Sequence, residues 1–173
     1  MRDITQKEAE KIHRKLISFI GEVNLSHFIS TNSLKLHNQN IYLVSATLLK
    51  AISNIPKPNI HHIGLMIGRI TKTGNFYLHC SALKEMDRWC IHKVWVKKSA
   101  EMNVLYGNNI LKSHISKISD DLKANTSLII YNKADVILGF GITTKDSAGI
   151  DRLPGSSIAA IVQSDNGVYL REE

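Results

Sequence analysis

Five lysines stand in residues 92–118 with a single acidic residue, and this part of the chain is best suited to chemistry with phosphates. A lysine ammonium is a compact charge for phosphate oxygens, while serine and backbone N–H groups fix the register of a bound strand. Within it, the run YGNNILKSHISKI at 106–118 contains no acid at all. The predicted phosphate contacts are Lys93, Lys97, Lys98, Lys112 and Lys117, with Ser113 and His114 as polar contacts.

Phosphate contacts of this kind have a measurable signature in their dependence on salt. If four or five lysines met the phosphates of one single strand, log K would fall with log[salt] at a slope of about −3, from roughly −0.7 per contact. Affinity would be modest and binding would be only weakly sequence-specific. Such a protein would need protein partners to direct it to its binding site. Trp95, Tyr77 and Tyr106 could offer stacking faces, although their local patterns predict core or half-buried positions.

Other kinds of chemistry find little support. The chain has none of the glycine-rich nucleotide loops, nucleophile elbows or HExxH zinc motifs that mark common enzymes, so no catalytic residue and no cofactor is predicted. The run LGFG at 138–141 is too short for a nucleotide loop and indicates a bent strand with close backbone approach. His79, Cys80, Cys90 and His92 are zinc-type ligands, but they lack the two short knuckles of a structural site, so no metal is predicted.

Charge and composition favour a polyanionic partner. The chain has 173 residues, a net charge of +7 and a pI near 9.4, which points first to nucleic acid and second to an anionic membrane surface. Residues 1–91 hold 12 basic and 6 acidic residues, whereas residues 92–173 hold 10 and 9. No apolar run is long enough to span a membrane, and the charged N-terminus lacks a secretory h-region. The two cysteines are expected to be free thiols.

The first half reads as helices and two hairpins. The sequence TQKE at 5–8 has the form of a capping box, with Gly21 as the stop of the helix that follows. Hairpins are predicted around the turns at 38–40 and 71–75, and Ser45 and Ser81 are predicted to cap helices. The segment at 54–58, with two prolines, should end the helix that Ser45 begins.

The second half is richer in strands and glycines. Strands are predicted at VWV, SLIIY, ADVILGFGI, SSIAAIV and GVYL, with a short helical piece at 101–106. Closely spaced strands and turns favour a small barrel. We therefore predict an α+β protein with a boundary at residues 91–92, in which the domains 1–91 and 92–173 pack on each other.

Two long runs in this half, KVWVKKSAEMNVLYGNNILKS and YNKADVILGFGITTK, resemble the PUA domain of the nuclear import protein seven family of ribosome assembly factors. The first half is similar to that family as well, through LHNQNIYLVS and GRITKTGNFYLHCSAL. The resemblance runs from residue 1 to about 171. It implies an N-terminal antiparallel sheet with helices, a pre-PUA protein-interaction domain, packed against a C-terminal PUA pseudobarrel that binds RNA.

The same resemblance implies a non-enzymatic adaptor needed for rRNA processing in large (60S) subunit biogenesis. Its partners would be single-stranded pre-rRNA, with U-rich sequence as the candidate, and the pre-60S particle with its nucleolar assembly factors. It implies a monomer in the nucleus and nucleolus without a membrane partner. Two alternatives remain: a protein-interaction scaffold with incidental RNA contact, and an RNA-targeting subunit of an RNA-modifying enzyme.

The run at 106–118 has two competing interpretations. At 100° per residue, its four aliphatic residues fall on one arc, which predicts one continuous helix from Asn108 or Asn109 with His114 half-buried. The family resemblance instead implies a short helix ending near Ser113, followed by a loop that faces RNA. Similar proteins usually carry glycines just after the Lys-Ser pair, where this chain has His114 and Ser116 and so leaves RNA backbone less room.

Overall fold

Residues 1–30, 32–56, 60 and 62–171 are described by a computed structural model of the protein. The chain divides into an N-terminal unit, Met1–Ala82, and a C-terminal unit, Leu83–Glu173. The boundary predicted at residues 91–92 stays a prediction. None of the described helices is both long and apolar enough to cross a bilayer.

The N-terminal unit contains a five-stranded sheet in the order β1-β2-β3-β4-β5, antiparallel throughout. Both predicted hairpins are confirmed, and they form the pairs β2–β3 and β4–β5. The strands are β1 (Arg2–Asp3), β2 (Asn32–His37), β3 (Asn40–Ser45), β4 (Leu65–Ile70) and β5 (Phe76–Leu78).

The long helix α1 (Gln6–Ser30) begins at the predicted capping box. The Thr5 backbone N–H donates to a Glu8 carboxylate oxygen at 2.7 Å, and the Glu8 N–H donates back to Thr5 Oγ1 at 3.4 Å. Gly21 does break the helical geometry, with φ of 76°. The chain resumes a helix directly afterwards and continues to Ser30, which the sequence did not predict.

Strand β3 is buried on both sides because helices cover both faces of the sheet. Tyr42 and Val44 pack with Leu48 and Leu49 of α2 (Ala46–Ala51), which Ser45 caps as predicted by accepting from the Leu48 N–H at 3.2 Å. The other face of the sheet carries α1, whose fully buried residues are Ile12, Leu16, Phe19 and Ile20. The predicted stop at 54–58 lies partly outside the described residues.

The cap predicted at Ser81 is wrong. Ser81 lies inside a 3-10 helix, Cys80–Ala82, and its hydroxyl donates to the Met66 carbonyl oxygen instead. The Ser81 backbone N–H donates to His79 Nδ1 at 3.2 Å, so the histidine serves as the acceptor. In the C-terminal unit, the chain then forms α3 (Leu83–Met86) and a second 3-10 helix, Asp87–Trp89.

The C-terminal unit contains a six-stranded sheet in the order β7-β11-β10-β9-β6-β8. Only β6 and β9 are parallel among its pairs of described strands. Its core gathers Val94 and Val96 with apolar residues of β9, β10 and α4. The elements are β6 (Lys93–Val96), α4 (Glu101–Leu105), β7 (Ile110–Leu111), β8 (Ile115–Ile118), β9 (Ser127–Tyr131), β10 (Ile137–Thr143), α5 (Ser147–Asp151), β11 (Ile158–Asp165) and α6 (Val168–Arg171).

Two sequence predictions about this sheet have opposite outcomes. The bent strand at 138–141 is confirmed, because β10 shifts register at both glycines and a Cβ on Gly139 would strike the Ser164 carbonyl oxygen of β11. The strand predicted for GVYL is wrong, since Gly167 lies in a turn and the helix α6 begins at Val168. There the Arg171 guanidinium reaches back to the Asp165 carboxylate at 3.0 Å and to the Leu105 carbonyl oxygen.

The two edge strands of this sheet, β7 and β8, are joined by a single 3-10 turn, Lys112–His114. Three residues of a 3-10 helix rise only about 6 Å, so the sheet must curl until its edges nearly meet. The predicted barrel is confirmed in this form.

The continuous helix predicted from Asn108 or Asn109 is wrong. A short helical turn near Ser113 is present, but a strand follows it where the resemblance implied a loop.

Candidate nucleic-acid interface

Strand β6 points two of the predicted residues away from the core. Its side chains alternate, with Val94 and Val96 fully buried and Lys93 and Trp95 only partly so. In β8, the register places Lys117 opposite Trp95, so its exposed side chain shares that outer face. Alternation on β6 and its pairing with β8 therefore bring three side chains of the acid-poor segment to one side of the sheet.

Lys97 links the two halves of the predicted surface. Its Nζ donates to the Ser113 carbonyl oxygen at 2.7 Å, and its backbone N–H donates to the His114 carbonyl oxygen at 2.8 Å. Lys98 follows at the start of a 3-10 helix, with an exposed side chain. The structure thus brings Lys97, Lys98, Ser113 and His114 together, although 16 residues separate Lys97 from Ser113.

His114 is half-buried and occupied by its own turn. Its Nδ1 accepts a hydrogen bond from the Leu111 backbone N–H at 3.3 Å. A neutral ring that accepts at Nδ1 carries its proton on Nε2. The half-buried position was predicted correctly, although the helix expected to cause it is absent. A structural role in the turn accounts for the described contacts of this ring.

Lys112 is neutralised by a neighbour that the sequence prediction did not pair with it. Its Nζ lies 2.9 Å from Oδ1 of Asp151, at the end of α5. The backbone N–H groups of Lys112 and Ser113 donate to the carbonyl oxygens of Ser157 and Gly155, which fixes this turn beside the loop before β11. The mixed charges at 143–152 were the only sequence signal for this ion pair, and they do not specify a partner.

A row of cations and aromatic rings crosses the outer face of β8, β6 and β9. The Lys117 ammonium lies 5.1 Å from the Trp95 ring centroid, and Trp95 stacks on Tyr131 with 5.6 Å between centroids. The Lys93 ammonium lies 5.0 Å from the Tyr131 ring. Cations at such distances are attracted to the faces of aromatic rings. The row fixes the orientation of Trp95 and leaves it half-buried, as predicted.

Two carboxylates balance the charge of this row. Asp135 accepts from the Trp95 indole N–H at 2.6 Å, and Asp87 accepts from the Lys93 ammonium at 2.9 Å and from the Tyr131 hydroxyl. Burial opposes ionisation of Asp87, but the hydrogen bonds from Tyr131 and Lys93 outweigh it and hold the pKa of Asp87 below its ordinary range. Lys93 is therefore a partner of Asp87 first, and less suited to a phosphate than the sequence suggested.

Three of the predicted lysines keep their charge uncompensated. Within the described parts of the chain, no ion pair involves Lys97, Lys98 or Lys117. All three are exposed and lie on or directly after the β6–β8 pair. Their ammonium groups, with Ser113 at their side, form the surface best able to meet phosphates, and we call them the β6–β8 lysines.

The zinc-type residues have other roles. The Cys90 thiol donates to the His92 carbonyl oxygen at 3.1 Å, and burial raises the pKa of this thiol to about 11. Burial also lowers the pKa of His92. Neither Cys80 nor Cys90 forms a disulfide. No group of three His, Cys, Asp or Glu side chains is placed to hold a metal among the residues that the structure describes.

Two of the aromatic residues are more exposed than their sequence patterns predicted. Tyr106 is 63% exposed and Tyr77 is 55% exposed. Tyr106 follows α4 in the C-terminal unit, whereas Tyr77 lies on the edge strand β5 of the N-terminal unit. The prediction of core or half-buried positions is wrong for both, because each lies where its element meets solvent.

Two family models match the chain, one on each side of the predicted boundary. The model described as "NIP7/UPF0113, pre-PUA domain" matches residues 1–80, and the one described as "UPF0113 PUA domain" matches residues 92–173. The 60S ribosome subunit biogenesis protein nip7 of Schizosaccharomyces pombe is 35% identical over 100% of this chain and 98% of its own length. The protein of the same name from Saccharomyces cerevisiae is 34% identical, over 100% and 97%.

Solved structures share the fold at much lower identity. A PUA domain from Aeropyrum pernix K1, crystallised as a tartrate complex, superposes with a TM-score of 0.64 at 13% identity, covering 99% of this chain and 90% of that one. A conserved PUA domain protein from Thermoplasma acidophilum gives 0.58 at 15% identity, covering 96% and 93%. These similarities establish the fold, and the barrel-like sheet of the C-terminal unit has the PUA architecture.

Proposed function

Because the chain belongs to the NIP7/UPF0113 family, we propose that it acts in biogenesis of the 60S ribosomal subunit as an RNA-binding adaptor without catalytic activity. Its partners are single-stranded pre-rRNA and the pre-60S particle with its assembly factors. It acts as a monomer in the nucleus, in the nucleolus. The full-length likeness to relatives named for this process is the observation that carries the proposal.

Within this function, the β6–β8 lysines are the RNA contact that the structure supports best. They lie on or directly after the β6–β8 pair, they are exposed, and no carboxylate neutralises them among the described residues. Lys93 and Lys112 come second, because each already has an acidic partner. Ser113 is exposed beside Lys97 and supplies a hydroxyl for register, while His114 supports the turn.

The direct test is binding of U-rich single-stranded RNA to the full chain. Replacing Lys98 and Lys117 by alanine should weaken binding about tenfold near 0.1 M salt and make the log–log salt slope shallower by about 1.4. Lys123→Ala with Lys133→Ala is the matched control, because both are exposed lysines of the same unit. Equal affinity of the two double variants would show that the β6–β8 lysines are not the RNA surface.

The cellular part of the proposal is tested by co-purification. The tagged wild-type chain should recover precursor large-subunit rRNA and pre-60S particles, and its depletion should lead to accumulation of unprocessed large-subunit precursors. Recovery of an RNA-modifying enzyme without pre-60S particles would support the enzyme-subunit alternative instead. Recovery of particles by the Lys98→Ala, Lys117→Ala variant at wild-type level, with RNA binding lost, would support the scaffold alternative.

A further inference from the structure

A basic groove in the N-terminal unit is unexplained by the surface described above. It is an open groove between α1 and the β4–β5 hairpin, with a volume of about 550 Å³. Its helix wall consists of Lys11, Arg14, Lys15 and Ser18, at the i, i+3, i+4, i+7 spacing that places side chains on one face of a helix. Its hairpin wall consists of Asn75, Phe76 and Tyr77.

The groove concentrates positive charge. Three of its seven lining residues are basic and none is acidic. Lys11 Nζ donates to the Gly74 carbonyl oxygen at 2.6 Å, which holds that ammonium at the junction of helix and hairpin. A cation held in place in advance loses less entropy when an anion binds.

Lys15 and Arg14 supply the other two charges, and they differ in exposure: Lys15 is half-buried and Arg14 is exposed. Burial lowers the pKa of Lys15, since the ammonium is poorly solvated beside the buried Phe19 ring, 5.3 Å away. Arg14 is exposed and forms no ion pair with any described residue. Its planar guanidinium is suited to bidentate contact with a phosphate.

An aromatic side chain completes the arrangement. Tyr77 is 55% exposed on a short edge strand, and its ring stacks on no other ring in the described regions. The cross-strand partner of Tyr77 is Arg69, which is also exposed, so a further cation flanks it. A free aromatic face beside a basic groove is the combination that proteins use to bind single-stranded nucleic acid.

We propose that this groove is a second RNA site, in which Lys11, Arg14 and Lys15 meet phosphates and Tyr77 stacks on a neighbouring base. The site rests on the proposed RNA-binding function and extends it from the C-terminal unit to the N-terminal unit. An acidic peptide would satisfy the cations but would leave the exposed ring without a partner. The amide of Asn75, on the hairpin wall, is a donor suited to phosphate oxygens.

The test compares variants of the full chain on a U-rich RNA of about 30 nucleotides. Arg14→Ala with Tyr77→Ala should lower affinity about tenfold, and Tyr77→Phe should retain wild-type affinity because it keeps the stacking face. Lys50→Ala, an exposed lysine of α2, is the control for general charge. Both replaced side chains are exposed, so circular dichroism and thermal melting should match the wild type. Affinity of the double variant equal to that of Lys50→Ala would overturn the second site.

Crosslinking separates failure of this site from failure of RNA binding altogether. RNA carrying 4-thiouridine should crosslink to a peptide that contains Tyr77, and Lys98→Ala with Lys117→Ala should leave that crosslink in place. The second site is wrong, and the proposed function stands, if two results are obtained together. The Lys98, Lys117 double variant is the only variant that loses RNA binding, and no crosslink maps to the N-terminal unit of the wild type. If a polyglutamate peptide perturbs the groove amides in NMR spectra and RNA does not, the ligand class is wrong.

Discussion

The ammonium of Lys112 lies 2.9 Å from the carboxylate of Asp151, 39 residues further along the chain. This pair neutralises one of the lysines that the sequence predicted to contact RNA phosphates. The Asp151 side chain is 73% exposed and that of Lys112 is 27% exposed, so the pair is screened by solvent and contributes little to stability.

Removing that acid should therefore release Lys112 for RNA. Asp151→Asn is expected to strengthen binding of U-rich RNA about threefold and to steepen the log–log salt slope by up to about 0.7, the value of one added phosphate contact. The measurement is fluorescence anisotropy across several salt concentrations. Asp120→Asn removes an exposed acid of the same unit and serves as the control. If both variants gain affinity equally, only general charge is involved and Lys112 makes no specific contact.

The Tyr131 hydroxyl and the Asp87 carboxylate form a pair whose contribution depends on pH. Tyr131→Phe removes a hydrogen bond to a partly exposed carboxylate and should cost about 1 kcal/mol at pH 7. The folded pKa of Asp87 is lowered, so its stabilising contribution is present above the unfolded pKa near 3.9 and is lost as pH falls through the folded value. The difference between variant and wild type should therefore shrink below about pH 4.

Urea unfolding between pH 7 and pH 3 measures this difference. Tyr106→Phe, at an exposed tyrosine of the same unit, should be close to neutral at every pH. A Tyr131→Phe deficit that stays constant down to pH 3 would mean that packing of the phenol, and not its bond to the carboxylate, is responsible.

The capping box at the start of α1 should also depend on pH. The hydrogen bond from the Arg2 guanidinium, with those from Thr5, lowers the pKa of Glu8 to about 2. Its contribution is present above the unfolded pKa near 4.3 and is lost as pH falls from there to about 2. Glu8→Gln should cost about 1 kcal/mol at pH 7 and should flatten the acid limb of the stability curve. Glu10→Gln, an exposed neighbour on the same helix, should do neither.

The neighbouring strand β5 lies so close to Gly68 of β4 that no side chain fits at this position without a clash. A Cβ at this position would lie 2.6 Å from the Phe76 ring and closer still to the Tyr77 carbonyl oxygen. Gly68→Ala should destabilise the protein by about 1–3 kcal/mol through overpacking. Gly155→Ala, where the nearest atom to the new Cβ is Ser113 Cβ at 3.6 Å, should change stability by less than about 0.5 kcal/mol. Equal midpoints of denaturation for the two variants would contradict the predicted clash.

Local signals in the sequence predicted local structure well. The capping box, both N-terminal hairpins and the Ser45 cap each depend on residues within a few positions of one another, and all four are confirmed. The alternation of VWV and the close approach at 138–141 are confirmed for the same reason. In each case the local pattern of residues favours a single backbone conformation.

Long-range pairing decided the segments that were predicted wrongly. The aliphatic residues at 110–118 fit one helical arc, but they also fit two short strands, and pairing of Ile110 with Ala160 and of Val94 with Ile118 selects the strands. The last residues of the GVYL segment belong to the helix Val168–Arg171, and Arg171 donates to the carbonyl oxygen of Leu105, 66 positions away. The acidic partners of Lys93 and Lys112 were missed as well, because no local pattern reveals which carboxylate the fold brings near.

The turn Lys112–His114 joins the two edges of the C-terminal sheet, and Lys97 bonds to it through both its backbone N–H and its side chain. An RNA strand bound there would contact both edges at once and would have to dissociate before the sheet could open locally. Bound RNA should therefore slow amide hydrogen exchange in β7 and β8 more than in the central strands. If RNA binds at this turn, binding and local opening of the barrel are linked equilibria, and release of the RNA would lower the free energy needed to open it.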